Sequence, residues 1–150
     1  MTQGADDAAI GRLVDLFMEG WNAKDGRTCA RPFAVDADFI NIMGLKGHGR
    51  DQIARGHDEI LSTIFRHMRI GSTVQSIRLI RPDVAVADVT FTPQTQGKGP
   101  FMFAKSSAGL VVTKEGDSWS NVTFRNMIPF ERPAAGPMER ALIENAAKSK

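Results

Sequence analysis

The chain has 150 residues, 42% hydrophobic, with 19 Lys and Arg against 17 Asp and Glu, which suits one globular domain and excludes disordered and fibrous classes. A formal charge of +2 is too nearly balanced for a nucleic-acid footprint, and no apolar run reaches the roughly 20 residues that span a bilayer. Cys29 is the only cysteine, which excludes an internal disulfide and a cysteine-based zinc site.

MTQGADDAAI opens with acids where a secretory signal carries a basic and then an apolar stretch, so a cytoplasmic location is expected. Residues 6–23 form the clearest element. Ile10, Leu13, Val14, Phe17, Met18 and Trp21 recur at the spacing of one helical face, a stripe that requires burial. Asp6 or Asp7 is expected to cap its start. Asn22 to Gly26 reads as a break, with Asp25 capping a short second helix across Arg27 to Arg31 that Pro32 ends.

DADFINIMG, residues 36–44, is expected to be a strand with Phe39, Asn41 and Met43 on one side and Ile40 and Ile42 on the other. LKGHG makes a glycine-rich connection, and Asp51 opens a third helix. The apolar face of that helix carries Ile53, Ile60, Leu61, Ile64 and Phe65, and His57 shares it, four residues after Ile53 and four before Leu61.

Residues 70–80 read as a second strand, Arg81-Pro82-Asp83 as a turn, and 84–94 as a third strand. TQGKGP is a loop, 101–113 a long fourth strand, EGD a turn, and 118–130 a fifth strand. Residues 1–132 are expected to form one domain. Residues 133–150 follow as a linker and a short helical tail whose apolar contact points are Met138, Leu142 and Ile143.

Helices first, then one short strand, a helix and an antiparallel meander predict an α+β fold with the helices on one side of the sheet. The first and third strands are apolar on both faces, and burial against a second copy covers the face the helices leave open. A homodimer is therefore expected.

Four polar positions do not suit a dry core. His57 either hydrogen-bonds a neighbouring carbonyl as an aromatic spacer or lines a cavity, where an imidazole can hold a ligand or move a proton. Asn41 lies between two isoleucines and needs partners if buried. Asp88 stands mid-strand, at the solvent face or in a cavity. In the last strand Asn126 shares a side with Val122 and Phe124, and Arg125 with Trp119, Asn121 and Thr123; Arg125 is expected outside and Asn126 inside. Nucleophile-elbow and phosphate-loop motifs are missing, as is a dinucleotide fingerprint, so no cofactor is expected. Histidines 48, 57 and 67 are too scattered for a metal site.

The runs W-N-A-K-D from Trp21, D-A-D-F-I-N-I-M-G from Asp36 and G-R-D-Q-I-A-R-G-H from Gly49 carry a resemblance, which continues through R-P-D-V-A-V-A from Arg81 to S-W-S-N-V-T-F-R-N. Over about residues 6–128 the chain resembles SnoaL-like proteins of the nuclear transport factor two and ketosteroid isomerase superfamily, closest to the SgcJ/EcaC branch. The resemblance implies a cone-shaped, curved antiparallel sheet wrapped around the N-terminal helices (a cystatin-like roll), with an apolar pocket at one end and a homodimeric assembly. It places Trp21, Phe39, Asn41, Met43 and His57 around that pocket, and Asn126 matches the family's asparagine in the last strand. Arg125 departs from the family pattern.

Two functions follow. One is a pocket protein that binds a small apolar or aromatic ligand. The other is an acid–base enzyme of isomerase, cyclase or dehydratase type on a polyketide-like or carbonyl substrate. In that enzyme His57 would transfer the proton, Asn41 and Asn126 would orient the substrate, and Asp88 would assist. Ketosteroid isomerase relatives stabilise an oxyanion with tyrosine, and this chain has none.

Overall fold

The structure, a computed structural model, describes residues 3–94, 105–129 and 136–148. Helix α1 spans Gln3–Ala23 and α2 Gly26–Ala30, followed by strands β1, Phe33–Ile40, and β2, Lys46–His48. Helix α3, Arg50–Ser62, leads into β3, Ile70–Arg81, β4, Val84–Pro93, β5, Ser106–Glu115, and β6, Ser118–Met127; helix α4, Pro137–Lys148, comes last. The loop 95–100, the expected strand start 101–104 and the linker 131–135 lie outside the described residues.

The strands form one open sheet in the order β2-β1-β6-β5-β4-β3. β3 to β6 are the expected antiparallel meander. The sheet is mixed rather than wholly antiparallel, because β1 lies parallel to β6 and pairs antiparallel with β2 on its other side. The period-2 alternation of β4 buries Ala85, Ala87, Val89 and Phe91 against the helices, and β5 buries Ala108, Leu110 and Val112 beside them. With Ile10, Val14 and Phe17 of α1 they make one continuous core.

Two glycines set how closely the helices stack. A Cβ on Gly20 would stand 2.2 Å from the Cys29 backbone nitrogen, and one on Gly26 would stand 2.2 Å from the Ala54 carbonyl oxygen. Side chains at either position would force α1, α2 and α3 apart. Asp25 caps α2 as its sequence suggests, accepting from the backbone N–H of Arg27 and Thr28. Gly26 N–H donates to Asp58 at 2.7 Å, tying α2 to α3.

The structure corrects the sequence reading at several points. Asp6 does not cap α1, which starts upstream of it. Its carboxylate is buried and accepts from Trp119 Nε1 at 3.0 Å and Lys114 Nζ at 2.9 Å. The first strand begins at Phe33 and stops at Ile40, so Asn41 belongs to a turn. LKGHG is not a bare connection, since Lys46–His48 pairs with β1 as an edge strand. In β6 the register shifts between Thr123 and Asn121, opposite Val111 and Val112. Trp119 and Asn121 are therefore buried, while Arg125 is exposed on the opposite face. On α4, Met138, Leu142 and Ile143 are exposed. Among the described residues no helix is long and apolar enough to cross a membrane.

Candidate functional site

α3 is a three-and-a-half-turn helix with Ile53, His57 and Leu61 on one buried face, each four residues from the next. That spacing aims the His57 imidazole at α1 and the sheet, leaving it 3% exposed. Three rings meet it edge-on. Phe39 of β1 stands 5.0 Å away between centroids, Phe17 5.5 Å and Trp21 6.1 Å, with interplanar angles of 75–88°. Phe39 stacks in turn on Phe124 of β6 at 4.9 Å. The histidine is built into an aromatic wall.

Its hydrogen bonding fixes its chemistry. Nδ1 lies 2.8 Å from the Ile53 carbonyl oxygen. A carbonyl only accepts, so Nδ1 carries the proton and Nε2 holds a lone pair. Nε2 is buried and bonds to no described residue. Burial pushes the imidazole below its ordinary value of 6.5, and the Ile53 bond and the nearby Asp58 charge offset this only in part. His57 is therefore neutral near pH 7.

Beside it opens an apolar pocket with a cavity volume of about 50 Å³. Trp21, Phe39, Asn41, Met43, His57 and Asn126 all line it, so six residues scattered over more than a hundred positions of the sequence meet at one place. Phe17, Ile42, Ile60, Phe65, Ile70, Phe91 and Ser106 complete the lining. The helical stripe of α1 marked Phe17 for burial without distinguishing core from cavity, and Phe91 follows from the alternation of β4. Ser106 carried no sequence signal.

Several of these residues have duties of their own. Asn41 Oδ1 accepts from the N–H of Met43 at 2.9 Å and of Leu45 at 3.0 Å, holding the turn that carries Ile42 and Met43 to the rim. Asn126 Oδ1 accepts from Met127 N–H at 3.1 Å. Both carboxamide oxygens are thus engaged by nearby backbone. Met43 is 43% exposed at the edge, an unbranched thioether free to swing. Trp21 Nε1 is buried and, like His57 Nε2, bonds to no described residue.

The far wall is held from the end of α1. Asn22 pairs with the backbone of Ile70 in both directions, giving and accepting at 3.0 Å. Lys24, at φ 60°, donates to the carbonyls of Phe65, at 3.0 Å, and Met68. These contacts position Phe65 and Ile70 against Trp21, whose ring lies 5.5 Å from Phe65.

Asp88 stands elsewhere. It is exposed on the outer face of β4 and accepts from Ser76 at 2.9 Å, remote from the cavity lining. A direct part for Asp88 in chemistry at His57 is not supported by that position. Cys29 is buried, and its thiol is pushed up to about 12, which makes it inert. Among the described residues no three His, Cys, Asp or Glu side chains stand together as metal ligands.

No protein-family model matches the chain, and no curated protein does. Solved structures do. A domain of unknown function with a cystatin-like fold from Nostoc punctiforme shares 25% identity at a TM-score of 0.78, covering 99% of this chain and 89% of its own. A nuclear transport factor two-like protein of unknown function from Shewanella oneidensis matches at 15% identity and a TM-score of 0.67, over 81% of this chain and 98% of its own. A ketosteroid isomerase-like protein from Erwinia carotovora atroseptica matches at 14% identity and a TM-score of 0.64, over 84% and 96%. The chain has a cystatin-like fold, which it shares with the nuclear transport factor two-like and ketosteroid isomerase-like proteins it resembles in structure.

Proposed function

We propose that this chain is a small-molecule pocket protein of SnoaL-like type, nearest the SgcJ/EcaC branch, that binds a small apolar or aromatic ligand in the cavity beside His57. The observation that carries the reading is the aromatic wall: Phe17, Trp21 and Phe39 pack on a buried imidazole that faces a lining almost free of charge. Such a lining favours ligands that bury hydrocarbon, at about 25 cal/mol for each Å² removed from water. At about 50 Å³ the cavity is smaller than the roughly 150 Å³ hollow that accepts benzene, so a ligand enters by parting Met43 and Ile42 at the rim.

The acid–base reading draws on the free lone pair of His57. Two features weigh against it. Burial disfavours the imidazolium that proton abstraction would create. No carboxylate is among the described lining residues to share or return the proton. Turnover and affinity, measured for His57→Ala on a panel of ketones and polycyclic aromatics, separate the two. The pocket reading expects affinity to fall with no turnover in either protein. Turnover in the parent that vanishes in the variant at unchanged affinity would favour the enzyme.

The same reading includes a cytoplasmic homodimer joined through the outer sheet face. There Val84, Val86 and Val111 are only half-buried, and no described helix covers them. Val86→Arg is expected to shift a dimer to monomer in light scattering. A parent protein of monomer mass at micromolar concentration would overturn the assembly.

A further inference from the structure

We propose that the pocket selects ligands presenting one neutral hydroxyl group, a phenol or alcohol on an otherwise apolar frame, to Trp21 and His57. The inference deepens the pocket function above and rests on it. Its basis is a pair of buried polar atoms belonging to two residues of the lining, Trp21 Nε1 and His57 Nε2, neither bonded to any described residue.

Their chemistries are complementary. An indole N–H can only donate. The Ile53 carbonyl holds the imidazole proton on Nδ1, so His57 Nε2 can only accept. Both rings line the same pocket and meet edge-on with centroids 6.1 Å apart, close enough for one ligand group to approach both. A single oxygen joins a donor and an acceptor about 5 Å apart through two hydrogen bonds of about 3 Å each. A hydroxyl is the smallest group that does both tasks: its oxygen accepts from Trp21 while its hydrogen is donated to His57.

Other functional groups fit less well. A ketone or ether accepts from Trp21 and leaves the His57 lone pair unmet. A hydrocarbon leaves both atoms unmet. A carboxylate brings a charge to a lining with no Lys or Arg among its described residues and no proton to give His57. A site built to bond a hydroxyl rejects the analogue that lacks it, because its own polar atoms are then left unpaired.

Three probes of similar shape test this: p-cresol, 4-methylanisole and p-xylene, titrated into ¹⁵N-labelled protein. The chain has two indole N–H signals, and Trp119, whose N–H is held by Asp6 at 3.0 Å, serves as the internal reference. The expected result is p-cresol binding about tenfold or more tighter than either analogue, moving the Trp21 signal and leaving that of Trp119 in place. Trp21→Phe should remove most of that preference while p-xylene still binds. Equal affinity for all three, or p-cresol saturating without moving Trp21, would overturn the hydroxyl preference and leave the apolar pocket intact. Binding of none of the three would overturn the pocket itself. Should Trp21→Phe fail to fold, the three-probe series on the parent still decides.

Discussion

The fold treats its two tryptophans in opposite ways. Trp119, 6% exposed in β6, donates to Asp6 at 3.0 Å, and Lys114 completes the cluster with its ammonium 2.9 Å from the same carboxylate and 5.6 Å from the indole ring. Every partner in that cluster is satisfied. It ties the first turns of α1 to strands β5 and β6, more than a hundred residues away. Trp21, near the other end of the same helix, packs its ring on Phe17, His57 and Phe65 but leaves its N–H without a partner in the described chain. One end of α1 is fastened by polar groups. At the other end Asn22 and Lys24 are bonded to backbone, and the indole N–H of Trp21 beside them is left over.

Breaking the fastened end should cost most. Asp6→Ala leaves a Lys ammonium and an indole N–H buried without their shared acceptor. The thermal midpoint should show the largest fall of the substitutions considered, with p-xylene affinity unchanged at the opposite end of the helix. Acid should act in the same direction. The Trp119 and Lys114 bonds hold Asp6 below its ordinary 3.8, so its contribution is complete above that value and is lost as the pH falls through the depressed one.

The matched pair Trp119→Phe and Trp21→Phe sharpens the contrast with a smaller effect. Each change removes an indole N–H and keeps a ring. Trp119→Phe should cost about 1 kcal/mol in chemical denaturation, since Asp6 loses a donor. Trp21→Phe should cost less than Trp119→Phe, because both changes trim the same ring area and only Trp119 gives up a protein hydrogen bond. Equal losses in the two would contradict the distinction.

The sequence carried much of this arrangement wherever the signal was local. The 3.6-residue spacing of Ile53, His57 and Leu61 is a property of one helix, and it turned the imidazole inward without help from tertiary structure. The alternation of β4 was legible too, but with both its faces apolar it left Asp88 between solvent and cavity, and the structure puts Phe91 inside and Asp88 outside. Readings failed where a distant or irregular contact decided. Asp6 looks like a helix cap, yet its partners are 108 and 113 positions away. Asn41 between two isoleucines looks like a strand residue, but its side chain closes a turn on Met43 and Leu45. Strict alternation across β6 put Trp119 on the same side as Arg125, and the register shift separates them. Lys46-Gly47-His48 has no strand signature and is one only because β1 offers it an edge.

The Trp21 N–H reports on the pocket from one side; the histidine reports from the other, and its state is the physical claim on which the ligand chemistry turns. Long-range ¹H–¹⁵N spectra of the His57 ring, recorded from about pH 8 to about pH 5, read that state atom by atom. The expected result is a neutral imidazole with its proton on Nδ1 and a bare Nε2, persisting below the ordinary value of 6.5 because burial lowers its affinity for a second proton. The unfolded chain would then bind more protons than the native one, so stability should decline as the pH falls below 6.5. A proton found on Nε2 instead, or a ring that titrates at the value of a free imidazole, would contradict the account.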